Sequence, residues 1–200
     1  MCSTGSKQHA VSIVRIDERR VELLGKLQRF RDQGECICNI ANSVLFQGKA
    51  EESKHYYQKA RDLGAAHGFF SVECTSCMGL AQLAIRDGKT EDAVPLLQNA
   101  LAATPLLEGG ESAGDCEELM VLKMLTDTLL ETNSVDEVET LVERYRSAVR
   151  RGTAEHRDRV VPFELHSLYV SARLHEVLCI SIPFRKTTCC CSALALHHGR

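Results

Sequence analysis

The chain has 200 residues, with 24 lysines and arginines against 27 aspartates and glutamates and a net charge of −3. Four prolines, no tryptophan and 5% aromatic residues favour long helices and argue against a sheet-rich domain. Residues 179–200 hold three basic side chains and no acid, which leaves 21 basic against 27 acidic side chains in the body, a net of −6. An acidic body without a basic stripe excludes nucleic acid as an expected ligand.

The N-terminus is polar and lacks the apolar core of a signal peptide. No run reaches the roughly 20 apolar residues of a membrane span. We therefore expect a cytosolic or nuclear chain, with the cytoplasm as its location and no membrane partner. The ten cysteines are expected to be reduced thiols.

In chain order, residues 1–10 are expected to be disordered, and apolar residues at helical spacing predict a first helix over 11–31, stopped by Gly34. Two helix pairs follow, at 36–46 with 50–66 and at 70–86 with 91–102, before Pro105. A glycine-rich loop at 108–114 precedes helices predicted at 115–132, 134–151 and 161–178. Residues 179–200 are interpreted as an irregular or disordered cysteine-rich tail.

The two short glycine turns are followed by the same series of residue sizes. After Gly48 come Ser53, Tyr57 and Ala60, and after Gly88 come Ala93, Leu97 and Ala100 at the same spacings. A third unit has Asn133 in place of the glycine, followed by Val138, Val142 and Tyr145. Small residues let antiparallel helices approach closely, and one pair cannot bury its own face, so the units are expected to stack.

This pattern resembles the tetratricopeptide repeat (TPR), a helix–turn–helix unit with a turn glycine, a small–aromatic–small series and a closing proline. The resemblance is good over 34–107 and weaker over 119–178. Intervals of 40 and 45 residues between the turns, and the run from His55 to Ala60, resemble the long repeats of kinesin light chains. HEAT-like and 14-3-3-like helical stacks are the alternatives.

The resemblance implies an all-α fold in which antiparallel helix pairs stack as a short right-handed superhelix, an α-α solenoid of about seven helices. The repeat domain is expected over 11–178. Its units are placed near 34–67, 74–107 and 119–152, with a partial unit at 161–178.

In such a solenoid the first helix of each pair lines a concave groove, and the resemblance implies a protein or peptide partner. The predicted peptide-binding residues are Asn39, Asn42, Phe46, Met78, Gln82, Arg86, Lys123 and Asp127. Further side chains expected to point there are Glu35, Cys38, Thr75, Met120, Met124, His166, Tyr169 and Arg173. Asparagine and glutamine can pair with a peptide backbone, and methionine adapts to irregular apolar groups. The alternative is a solvated face without a ligand.

Some members of the family bind a free C-terminal carboxylate with two lysines, an arginine and two asparagines. Asn42 matches one of these asparagines. The other matching positions hold Cys38, Gly79, Met120 and Met124. Because the cations are missing, we do not expect this carboxylate clamp.

No motif for catalysis is present: there is no phosphate loop, no nucleophile elbow and no helix with paired metal-binding histidines. We therefore predict a scaffold rather than an enzyme, with no catalytic residue, no metal ligand and no cofactor.

Two alternatives remain open. The first is a cysteine-based metal-binding protein, because Cys74 and Cys77 form a CxxC motif on one helix face. The spacing of Cys36 and Cys38 turns them to different sides of a helix, so a second ligand pair is missing. The second alternative is a fragment of a larger repeat array that self-associates through an exposed apolar face at 161–178.

Overall fold

A computed structural model describes residues 4–104, 111–151, 163 and 166–174, and side chains are described from Val14 onward, except at 111–116 and 151. Seven helices run in order: α1 (Thr4–Lys26), α2 (Phe30–Phe46), α3 (Ala50–His67), α4 (Phe70–Arg86), α5 (Thr90–Ala103), α6 (Glu111–Glu131) and α7 (Val135–Arg151). Residues 166–174 are also helical. The described part of the chain contains no strand, as predicted.

A residue with positive φ ends each of the first four helices, at positions 28, 48, 68 and 88, that is, at intervals of 20 residues. At Gly48 the two hydrogen bonds of a Schellman cap close the turn: Gly48 N donates to Leu45 O at 2.9 Å and Lys49 N donates to Val44 O at 3.3 Å. Gly88 and Asn133 make the equivalent pairs of bonds. The predicted turns of the three units are therefore confirmed.

Each helix packs against the next one in the chain, and α2 also contacts α4. Contacts are thus made within a unit or between adjacent units, as in a solenoid, in which each unit buries its face against the next one. The small residues predicted to allow close helix packing are all fully buried, namely Ala41, Ala60, Ala81, Ala93 and Ala100. Tyr57 and Leu97 fill the spaces between units and are also buried, as predicted.

The limits of the first helices differ from the prediction. α1 begins at Thr4, within the segment expected to be disordered, and ends at Lys26, because Gln28 adopts φ +56° without being a glycine. Gly34 does not stop a helix but lies buried inside α2. A Cβ at Gly34 would approach Val72 Cγ1 to 2.7 Å, so this glycine serves the close approach of α4.

The predicted loop at 108–114 overlaps α6, which already begins at Glu111. The predicted last helix, 161–178, corresponds to the helical stretch 166–174 and to residue 163, and its other positions lie outside the described residues. The predicted tail at 179–200 also lies outside them. Among the described helices, none combines the length and apolar character needed to cross a membrane.

Candidate functional site

The eight residues predicted to bind a peptide lie on α2, α4 and α6, and we call them the candidate groove. Their side chains are mostly accessible. Those of Asn39, Asn42, Phe46, Gln82 and Arg86 are exposed, and those of Met78, Lys123 and Asp127 are partly buried. Phe46 is 97% exposed, although it is a large apolar residue. An accessible aromatic ring among polar groups is suited to contact with another molecule.

Three polar residues of the candidate groove occupy equivalent positions in successive units. Asn42, Gln82 and Asp127 lie six residues before the turn residues 48, 88 and 133. The last residues of the same helices, Phe46, Arg86 and Glu131, also correspond to one another. We call Asn42, Gln82 and Asp127 the polar row. The second set of equivalent positions holds an aromatic residue, a cation and an acid.

Asn42 is held by a residue that the sequence assigned only to packing. The hydroxyl of Tyr57 on α3 donates to Asn42 Oδ1 at 2.5 Å. Tyr57 is itself buried, and burial raises its pKa to about 12, so the hydroxyl stays protonated and able to donate.

The ring of Tyr57 is held in turn by the next unit. A Cβ built on Gly79 of α4 would lie 2.3 Å from Tyr57 Cζ, so the ring occupies the space that any other side chain would need. Gly79 was identified in the sequence as a departure from the carboxylate clamp. Its structural role is to let the tyrosine lie directly against the α4 backbone.

The third unit has a more extended polar network. Asp127 accepts from Lys123 Nζ at 2.9 Å through Oδ2 and from His166 Nε2 at 2.7 Å through Oδ1. The other ring nitrogen of His166 lies 3.0 Å from the hydroxyl of Tyr145. Lys123 and Asp127 of the candidate groove are thus already paired with each other, and Asp127 is also bonded to His166 of the helical stretch 166–174.

A cleft of 280 Å³ lies beside this network and is lined by Asp127, Leu130, Glu131, Tyr169 and Arg173. The sequence predicted that Tyr169 and Arg173 face the groove, and the structure places both beside Asp127. A separate cleft of 260 Å³ between α5, α6 and α7 is lined by Gln98, Leu101, Ala102, Leu125, Glu137, Thr140, Leu141 and Arg144. None of the predicted groove residues lines this second cleft.

Four cysteines whose side chains the structure describes are core residues: Cys36, Cys38, Cys74 and Cys77. Cys38, expected to face the groove, is buried and does not reach it, which corrects that expectation. Burial raises the pKa of Cys74 to about 12 and that of Cys77 to about 11, which disfavours the thiolate that binds metals or attacks disulfides. The described residues contain no group of three or more histidine, cysteine and acidic side chains arranged to hold a metal ion.

These features define a TPR-like helical repeat protein, an all-α solenoid of antiparallel helix pairs. Its fold is similar to crystal structures of a protein from Podosopora anserina assigned as a kinesin light chain and built of nearly identical TPR-like repeats. One structure shares 16% sequence identity with a TM-score of 0.56 and covers 88% of each chain. The other shares 14% identity with a TM-score of 0.55 and covers 88% of this chain and 90% of that chain. No model of a known protein family matches the sequence, and none of the curated proteins is similar to it.

Proposed function

We propose that this chain is a non-catalytic scaffold of the cytoplasm that binds an extended segment of a partner protein in the candidate groove. TPR-like repeats commonly mediate protein–protein interaction, and the similarity of fold supports the general role. The observation that carries the proposal is the exposed polar row on the first helices, in which Asn42 is already fixed by Tyr57 before a ligand arrives. A side chain that is ordered in advance loses less entropy on binding.

The chemistry of the groove suits a peptide of mixed character. Asn39, Asn42 and Gln82 offer amides to a peptide backbone. Phe46 and Met78 offer apolar contacts to its side chains. Arg86 is a cation at the end of α4, suited to an acidic side chain of the ligand.

A cysteine-based metal site is less well supported than the groove. Cys74 and Cys77 are buried, and the raised pKa values of both thiols oppose the loss of a proton that zinc binding requires.

The test is affinity capture with the full chain, followed by cross-linking and mass spectrometry. We expect the variant Asn42→Ala/Gln82→Ala to bind the partner about thirtyfold more weakly than the wild type, since each of the two lost hydrogen bonds contributes roughly 1 kcal/mol. The matched control is Gln58→Ala/Asn99→Ala, which removes two exposed amides from the second helices α3 and α5.

Cross-links to the partner are expected on α2, α4 and α6. Equal retention by the two double variants, or cross-links confined to α3 and α5, would show that the candidate groove is not the binding face.

A further inference from the structure

We infer that Tyr57 is a positioning residue, which turns Asn42 into a fixed hydrogen-bond donor for a main-chain carbonyl of the bound segment. This inference rests on the proposed function and specifies what the ligand must present at Asn42. Tyr57 itself does not touch the ligand, because its side chain is buried between α3 and α4.

The first step is the direction of the hydrogen bond between the two residues. An asparagine amide could face a tyrosine with either its oxygen or its nitrogen. The separation of 2.5 Å lies at the short end of the range for an O–H donor with an oxygen acceptor and below the range for an N–H donor. Among the described residues, Asn42 is also the one hydrogen-bond partner of the Tyr57 hydroxyl. Had the amide nitrogen faced the tyrosine, the buried hydroxyl proton would have no acceptor, which is costly.

The second step concerns the part of the Asn42 amide that remains accessible to a ligand. With Oδ1 engaged by Tyr57, the two N–H groups of Asn42 Nδ2 remain without a partner in the described part of the chain, and the side chain is exposed. A ligand atom that meets Asn42 must therefore be an acceptor. The packing of Gly79 against the tyrosine ring holds the hydroxyl in place. The second unit therefore fixes the orientation of the Asn42 amide in the first unit.

The equivalent positions of the other units behave differently. Gln82 has no hydrogen-bond partner among the described residues, so its amide can turn either way. Asp127 has both oxygens occupied by Lys123 and His166. Within the polar row, Asn42 is thus the position at which the side chain is held in one orientation, with its N–H groups available as donors to a ligand.

The third step chooses between two acceptors, a neutral main-chain carbonyl and a free carboxylate. The exposed stripe of α2 around Asn42 consists of Glu35, Asn39 and Phe46, which offers an acid and no cation. A carboxylate would meet an acid, Glu35, and no cation on this stripe of α2, whereas Arg86, the cation of the candidate groove in the next unit, lies on α4. A carbonyl of an extended peptide has no such penalty.

The first experiment needs no ligand. Nuclear magnetic resonance relaxation of the Asn42 side-chain amide in the full chain is compared between the wild type, Tyr57→Phe and the matched control Tyr56→Phe. Tyr56 lies beside Tyr57 in sequence, but its hydroxyl donates to Glu18 on α1 at 2.9 Å. We expect an order parameter of about 0.8 in the wild type and the control, falling below about 0.6 in Tyr57→Phe. An Asn42 amide that stays equally ordered without the hydroxyl would overturn the inference.

The second experiment uses the tightest binder from a degenerate library of N-acetylated, C-amidated nonapeptides. We expect Tyr57→Phe to weaken binding about three- to tenfold, and Asn42→Ala to weaken it at least as much. Because Tyr57 acts through Asn42, the double variant should bind no more weakly than Asn42→Ala alone. Additive losses would contradict the positioning role.

The acceptor is identified with the same peptide. Replacing a single backbone amide of the peptide by an ester weakens one carbonyl as an acceptor and also removes one N–H. The ester at the carbonyl that meets Asn42 should reduce binding to the wild type more than binding to Asn42→Ala. Restoring a free C-terminal carboxylate should leave the affinity unchanged, and a gain of tenfold or more would overturn the choice of a main-chain carbonyl. If no library peptide binds the wild type, the proposed function fails, whereas the relaxation data still decide whether Tyr57 orders Asn42.

Discussion

The contact between Tyr57 and Gly79 is one of those that join the first two units. We predict that Gly79→Ala lowers the free energy of unfolding by about 1–3 kcal/mol, because its Cβ would lie 2.3 Å from Tyr57 Cζ and must displace a buried ring. Urea denaturation followed by circular dichroism measures the change.

The control is Gly25→Ala in α1, whose Cβ would meet only the end of the flexible Gln33 side chain, 2.7 Å from its Nε2. This change should be nearly neutral, because a gain of roughly 1 kcal/mol in helix propensity offsets the hydrogen bond from Gln33 Nε2 to Val21 O that the displaced side chain would lose. Equal stability losses in the two variants would contradict the assigned role of Gly79.

The buried thiols and Tyr57 make stability depend on pH in the alkaline range. Burial raises the pKa of Cys38 and of Cys74 from 9.0 to about 12, and that of Tyr57 from 10.0 to about 12. The folded state therefore holds these protons more tightly than the unfolded state. The resulting stabilisation is complete below pH 9, begins to decline as the unfolded thiols ionise, and is lost as the pH rises towards 12.

We therefore predict that the urea midpoint is constant from pH 7 to about 8.5 and falls steadily above pH 9. Cys74→Ala should reduce the steepness of this fall, since it removes one of the contributing protons. A midpoint that is the same at pH 8 and pH 10.5 would show that the thiols are not shielded from solvent.

Three elements meet at His166, which connects α6, α7 and the helical stretch 166–174. With a proton on Nε2, the ring can donate to Asp127 and accept from the Tyr145 hydroxyl at Nδ1, so that all three side chains have hydrogen-bond partners. Tyr145 is fully buried, so loss of the histidine would leave its hydroxyl without this acceptor.

We predict that His166→Ala loosens the stretch 166–174 from α6 and α7. Hydrogen exchange of its amides should accelerate roughly tenfold or more, because about 1–3 kcal/mol of local stability is lost, whereas α2 to α5 should be unaffected. His55→Ala, which changes an exposed histidine on α3, is the control. Unchanged exchange at 166–174 would show that apolar contacts such as Val170 hold it without the network.

The helices of the first two units could be predicted from the sequence because glycine marks their turns at Gly48 and Gly88. The end of α1 could not, because Gln28 adopts a left-handed conformation that no local signal required. The role of Gly34 could not be predicted either, because a glycine that allows close packing looks in the sequence like a glycine that ends a helix. Both errors arise where tertiary packing decides the local conformation.

For the candidate site, helical register was enough to place Asn42 and Gln82 on an exposed face. Their hydrogen bonding could not be predicted, since it depends on which side chains of neighbouring helices reach them. Tyr57 and Leu97 occupy the same packing position in their units, so the repeat pattern assigns Tyr57 to packing and does not reveal that its hydroxyl holds Asn42. The pairing of Asp127 with His166, 39 residues away, likewise depends on how the last helical stretch packs.

Across the described molecule, the core consists of successive clusters along the solenoid. One cluster joins α1, α2 and α3 to Val72, another joins α4 to α7 and reaches Leu174, and Ala41, Tyr57, Leu80 and Leu83 connect the first two units. α1 buries Val21 and Leu24 in the first cluster but leaves a second apolar stripe uncovered. Ile16 and Leu23 on α1 and Leu27 just after it are 66%, 58% and 67% exposed.

In repeat arrays a polar outer face prevents further stacking. Because α1 instead carries an exposed apolar stripe, we predict concentration-dependent self-association of the full chain through this helix. Sedimentation velocity should show an average mass that rises with protein concentration, and Leu23→Gln/Leu27→Gln should remove the rise. Phe46→Ser is the matched control: it removes an exposed apolar side chain from the candidate groove and should leave the association unchanged. A wild-type chain that sediments as a monomer at every concentration would contradict this prediction, and loss of association in Phe46→Ser would move the contact from α1 to the candidate groove.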